Sequence, residues 1–196
     1  MYEKIKLLAT EYFPETVQIR RDFHKYAERG WLEMRTASII ARKLENLGYQ
    51  VSAGKEIMRE EFRMGLPNKR ILTINYKRAL LQGADPYYLE KVKDGFTAVA
   101  GIIRNGEGPV VAIRFDIDAL SITEDDSTNH NPGKFGFVSC NPGAMHACGH
   151  DGHSAIGLTV AKILAKIREN LHGTIKLIFQ PAEEGVRGAK SIATRC

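Results

Sequence analysis

A chain of 196 residues, 43% hydrophobic and 26% charged, is long enough for one domain with its own apolar core and has an ordinary globular composition. Its net charge of +5 comes from Lys and Arg scattered beside Glu, with no basic block and no interleaved aromatics, which argues against a nucleic-acid track and suits a small anionic substrate. There is no apolar run long enough for a membrane span, the opening MYEKIKLLATEYF lacks a secretory core, and three cysteines (Cys140, Cys148, Cys196) form no CxxC pair, so the expectation is a cytoplasmic protein with no membrane contact.

Ile5, Leu8 and Tyr12 predict a helix over 2–12, and Pro14 opens a second helix running to about Glu28, with Ile19, Phe23 and Tyr26 on one face. A third helix is expected over 37–47, entered near Thr36 and stopped by Gly48, and YQVSAG then reads as a first strand. Residues 56–95 are charged and broken by Pro67, Gly83 and Pro86; they read as an excursion of short helices outside the core. FTAVAGII and PVVAIRF read as a β-hairpin around RNGEG, where Asn105-Gly106 supplies positive φ cheaply. Residues 125–144 read as loop. A long helix follows, its apolar stripe formed by Ile156, Val160, Ile163, Leu164, Ile167 and Leu171; Gly173 ends it. TIKLIFQ is then a strand, and PAEEG leaves its C-terminal end. This order of elements predicts an α/β fold, a mixed and mostly parallel sheet flanked by helices.

Three polar groups fall at strand ends or at a helix start. They are Asp116 and Asp118, then His146, Cys148, His150, Asp151 and His153, then Glu183 and Glu184. Sites in open α/β sheets form outside the carboxyl ends of strands, so these groups can meet at one edge. A thiolate, an imidazole and a carboxylate together suit a borderline divalent ion such as zinc, manganese or cobalt. Adjacent carboxylates allow one to bind metal while its neighbour handles protons. Gly149 and Gly152 let backbone approach an ion closely. Each piece has a bland reading by itself: a small buried cysteine, histidines bonding backbone, a solvated acidic pair, a capping aspartate. In the order D-x-D, H-x-C-x-H-D, P-x-E-E they point to a metal-dependent hydrolase. No GxGxxG, Walker loop, GxSxG elbow, HExxH or zinc-finger spacing competes.

MHACGHDGH, QPAEEG and RFDIDAL resemble the amidohydrolase branch of the M20 metallopeptidases. RRDFHKYAERGWLEMRTA, RMGLP and GFVSCNPGAMHACGHDGH narrow the resemblance to branch members acting on aminobenzoyl-glutamate; most of the branch reads HPE where this chain has Tyr26-Ala27-Glu28. The resemblance implies a zinc-peptidase-like catalytic domain with Cys148, His150 and Glu184 as metal ligands. It makes Glu183 the general base and Asp118 a carboxylate that orients a ligand from behind. It also implies a pair of divalent ions, manganese or zinc, and hydrolysis of the amide of p-aminobenzoyl-glutamate or a related N-acyl amino acid. His146 and His153 match no ligand position and are expected to make local hydrogen bonds. Chains of the branch are longer, with further ligand histidines downstream of Glu184 and an inserted lid used in dimerisation. Residues 1–196 are therefore expected to be the N-terminal part of the catalytic domain, without the lid. Activity is expected in a full-length, oligomeric form, whose candidate partner is a homologous B subunit. The alternative is a non-catalytic fragment or partner-dependent module with an incomplete metal site.

Overall fold

The computed structural model describes residues 1–193; Cys196 lies outside the described residues, and Cys140 and Cys148 are both free thiols. Its organising strand is β4 (Gly173–Gln180), with Leu177 and Phe179 fully buried. On one side β4 pairs in parallel with β3 (Val110–Asp116), and on the other it runs antiparallel to β2 (Val99–Asn105). β1 (Gln50–Ala53) adds an antiparallel edge, for the order β1-β2-β4-β3. The expected mixed α/β sheet flanked by helices is present. Among the described residues, however, two strand pairings are antiparallel and one is parallel, which corrects the mostly parallel reading.

The expected hairpin is also corrected. β2 and β3 are joined through the Asn105-Gly106 turn, but β4 lies between them. The loop bridges two strand spacings, roughly 10 Å, instead of one. Gly173 (φ +83°) wedges into it, and a Cβ there would lie 2.2 Å from the Pro109 carbonyl oxygen. The Thr174 N–H donates to that same oxygen at 2.9 Å. β4, with Leu177 and Phe179 fully buried, thus lies between them, and turn chemistry does not choose its own partners.

Helix α1 (Tyr2–Lys25) runs straight through Pro14, where two helices were expected. Ile5, Leu8 and Tyr12 pack on Ile163, Ile167 and Leu171, while Ile19 and Phe23 join the main core. Packing on both sides of Pro14 outweighs the one hydrogen bond it removes. Helix α2 (Met34–Asn46) starts earlier than predicted. The Glu28 carboxylate accepts from the N–H groups of Arg35 and Thr36 at 3.2 and 2.8 Å, so it caps the helix from upstream and Thr36 caps nothing. Gly48 (φ +81°) does follow the helix end.

The excursion holds short helices as expected, chiefly α3 (Lys69–Leu81) and α4 (Pro86–Val92). It is not outside the core: Leu72, Ala79, Tyr88, Leu89 and Val92 are buried in the main apolar cluster with α2. Its charges face water and hid this in the composition. The stretch 125–144 carries one short helix, α5 (Asn131–Phe135).

Helix α6 (His150–Lys166) ends before Gly173, which opens β4 instead. Ile156 is 53% exposed and leaves the predicted stripe. The buried face is built around Leu158 from Ser154, Ala155, Gly157 and Ala161, small residues that let α6 lie close on the sheet. A Cβ at Gly157 would stand 2.8 Å from the Phe179 ring and 2.9 Å from that of Phe115. Gly157→Val is therefore expected to cost about 1–3 kcal/mol by overpacking. An unchanged urea midpoint would show that the helix can move away from the two rings.

Candidate metal centre

β3 and β4 are parallel, with Asp116 opposite Gln180, so both strands deliver the residues that follow them to one edge of the sheet. Asp118 leaves β3 there, and Pro181, Ala182, Glu183 and Glu184 leave β4. Cys148, just before α6, and His150 and His153 at its start come to the same edge. Topology is what unites three groups that lie far apart in the chain.

Asp118, 1% exposed, ties them together. Its Oδ1 accepts from the Glu183 N–H and its Oδ2 from the Glu184 N–H, each at 3.0 Å. Its backbone carbonyl lies 2.9 Å from His150 Nδ1, which donates to it. That bond leaves His150 Nε2 free as a donor atom, 3.7 Å from Glu183 Oε2. A backbone or carboxylate acceptor behind a histidine is the usual way a ligand tautomer is set. Burial would lower the His150 pKa, but Asp118, by hydrogen bond and charge, and Glu184 outweigh it and hold the imidazole at about 9. Burial, Glu184, Glu183 and Asp116 push the Cys148 thiol up. The carboxylates of Asp118 and Glu184 thus outweigh burial at His150, whereas at Cys148 burial and neighbouring acids act in the same direction.

Cys148, His150 and Glu184 offer a sulfur, a ring nitrogen and a carboxylate oxygen, all within 4.8 Å of one another. Asp116, His150 and His153 form a second such group, sharing His150. Glu184 Oε1 is buried and has no hydrogen-bond partner among the described residues. An orphaned buried carboxylate oxygen, a thiol and an oriented imidazole fit a divalent cation. Glu183 belongs to neither group but stands beside them: its side chain is 39% exposed, against 18% for Glu184, and its Oε2 lies 3.7 Å from His150 Nε2. The turn carrying them, Glu183–Gly185, is flanked by two non-glycine residues with left-handed backbone, Ala182 (φ +54°) and Val186 (φ +53°). Such strain persists only where the surroundings enforce it.

The two other histidines do not behave as expected. His146 is buried, and among the described residues neither of its ring nitrogens has a hydrogen-bond partner. The nearby acceptors are already spent: His24 joins Asp151 at 2.8 Å and Glu124 at 2.7 Å. Burial holds the His146 pKa at about 4, so its ring is neutral. His153 is exposed and stacks on His150 with ring centres 5.1 Å apart, its Nδ1 3.6 Å from Asp116. That is ion-pair distance and too long for a hydrogen bond.

Glu33 was missed by sequence reasoning. It is fully buried, accepts from the Ala182 N–H at 2.9 Å and from the Thr97 hydroxyl at 2.7 Å, and so braces the strained turn. The signal was a lone acid between apolar Trp31, Leu32 and Met34. Burial, then the charge of Asp118, raise its carboxyl to about 8. The folded state thus keeps a proton that the unfolded chain releases near 4.5. Stability is expected to fall as pH rises from 4.5 towards 8. Glu33→Gln, which cannot ionise, should flatten that slope in urea denaturation. Equal slopes in both proteins would place the proton elsewhere.

A cleft of about 470 Å³ opens beside these groups, lined by Asp118 and Glu184, by Leu32, Leu120 and Ile122, and by Arg187.

Residues 112–195 match the model of peptidase family M20/M25/M40, and over most of its length the chain is similar to curated amide hydrolases and to solved structures of M20 type. Among them, the A subunit of p-aminobenzoyl-glutamate hydrolase from Escherichia coli (strain K12) is 47% identical over 97% of this chain and 44% of its own length. Indole-3-acetyl-aspartic acid hydrolase of Enterobacter agglomerans is 49% identical over 91% of this chain and 41% of its own. The crystal structure of an aminobenzoyl-glutamate utilization protein from Klebsiella pneumoniae superposes with a TM-score of 0.81 at 37% identity, covering 98% of this chain and 42% of that one. A dinuclear metal binding peptidase of family M20 from Bacillus subtilis superposes with a TM-score of 0.67 at 30% identity, over 95% of this chain and 40% of that one. The chain therefore spans less than half the length of these relatives.

Proposed function

We propose that the natural full-length protein is an amidohydrolase that cleaves p-aminobenzoyl-glutamate or a closely related N-acyl amino acid, and that residues 1–196 are the N-terminal part of its catalytic domain. Cys148, His150 and Glu184 hold metal, Glu183 is the general base, and Asp118 orients the others. The observation that carries this reading is the meeting of three donor atoms within 4.8 Å on loops that Asp118 bonds together. When bound, a pair of divalent ions, manganese or zinc, lowers the pKa of water towards ~7 and polarises the scissile carbonyl.

The residues divide the remaining work. Glu183, half-buried and 3.7 Å from His150 Nε2, takes the proton of the attacking water at its carboxylate and passes it to the departing nitrogen. Asp118 holds the backbone of Glu183 and Glu184 and fixes the His150 tautomer, so the site is arranged before substrate arrives. Leu32, Leu120 and Ile122 give an aryl group an apolar wall. The Escherichia coli relative is one component of a hydrolase with more than one kind of chain, which supports an oligomeric form with a homologous B subunit. The described residues include no helix long and apolar enough to cross a membrane.

The test is release of p-aminobenzoate from p-aminobenzoyl-glutamate by the full-length protein loaded with manganese or zinc. Metal-dependent release is expected. Metal binding without turnover of this substrate or of an indole-acetyl-aspartate would leave a non-catalytic, metal-holding module in its place.

A further inference from the structure

We infer that Arg187 makes this site selective for an acidic amino acid, by taking the side-chain carboxylate of the half that leaves. The inference rests on the amidohydrolase reading above and deepens it.

Arg187 is half-buried, and its guanidinium has almost no protein partners. Nη1 donates to the Gly65 carbonyl at 3.0 Å. Nε is buried without an acceptor. No carboxylate among the described residues pairs with it, whereas Arg35, Arg63 and Arg78, likewise enclosed, pair with Asp22, Glu60 and Glu28. A buried donor left unmade is costly, and a guanidinium is the side chain best shaped to grip a carboxylate.

The group is also held in place. A Cβ at Gly65 would lie 2.5 Å from Nη1, and one at Gly185 would lie 2.2 Å from Nε. Glycine at both positions makes the slot. Val186, left-handed and 98% exposed, turns the chain so that residue 187 folds back over residue 185. The Trp31 ring lies beneath, its centre 6.0 Å from Cζ.

The position is right for reading substrate. Arg187 follows the turn that carries Glu183 and Glu184, and it lines the cleft shared by Glu184 and Asp118. It also lines a second cleft, of about 340 Å³, on the side of Glu183. Arg29 stands exposed in the first cleft, again without an acid partner among the described residues. Two unpaired arginines match the two carboxylates of a dicarboxylic amino acid. The α-carboxylate, common to every N-acyl amino acid, suits the unconstrained Arg29. The carboxylate that discriminates suits the slot-held Arg187, because selectivity needs a fixed donor set.

The experiment is calorimetric titration of the full-length protein, with and without added zinc, using N-acetyl-L-glutamate and N-acetyl-L-glutamine. Wild type should prefer the glutamate derivative by about 10–100-fold, the range for a charge-assisted hydrogen bond. Arg187→Met should bring the two Kd values together by weakening only the glutamate derivative, with an unchanged circular dichroism spectrum. Arg187→Lys should keep part of the preference and serves in place of the methionine variant if that does not fold. An intact preference in a folded Arg187→Met, or equal weakening of both probes, would overturn the assignment. Failure of both probes to bind wild type would instead overturn the amidohydrolase reading beneath it.

Discussion

Glu183→Gln in the full-length protein should lower kcat at least about 10²-fold, the usual scale for a general base, and leave metal content unchanged. Gln keeps the shape, and the change leaves the backbone N–H of residue 183 on Asp118 Oδ1. What it removes is the carboxylate that accepts a proton. The wild-type side chain is 39% exposed and lies outside the Cys148, His150 and Glu184 donor group, so no ligand is lost with it. The checks are steady-state kinetics on p-aminobenzoyl-glutamate beside metal analysis of the same preparation. A variant with near-wild-type kcat would remove Glu183 from the chemistry. One that loses its metal would make it a ligand.

Cys148→Ser should weaken divalent-ion binding by at least about 10²-fold, since even residues behind the ligands are worth 10–100-fold in affinity. The sulfur is the soft donor of the set, and serine at neutral pH offers a far poorer one. Cys148 is exposed, so the substitution disturbs no core packing, and thermal stability without metal should stay the same. Cobalt is a suitable probe: its thiolate charge-transfer absorption should appear with the wild type and vanish with the variant. Equal zinc affinities in the two proteins would take Cys148 out of the centre and shift attention to the Asp116, His150 and His153 group.

Much of this was legible in the chain. The three polar groups were visible because each is a short run of functional side chains beside glycine or proline, and local composition records that directly. Short-range chemistry was equally readable: the Gly48 helix stop, the short helices of 56–95, and the strands around Val51, Ile103, Ile113 and Leu177. Strand partners were not. Asn105-Gly106 promised a hairpin, yet β4 enters between β2 and β3 because burying Leu177 and Phe179 centrally outweighs a local turn preference. The start of α2 was hidden for the same reason, its cap being the carboxylate of Glu28 and not the adjacent Thr36.

By itself, then, the sequence determined which residue types gather at a divalent-ion centre and the secondary structure that carries most of them. Only the tertiary structure decided how they are held. It put Asp118 under two backbone N–H groups and behind His150, buried Glu33 beneath the strained turn, left His146 without a partner, and set Arg187 in a slot between glycines. Each of these depends on contacts between residues distant in the chain. Periodicity and motif spacing record only near neighbours, whereas burial, charge and hydrogen-bond supply are fixed where the sheet edge, the helix start and the turn come together.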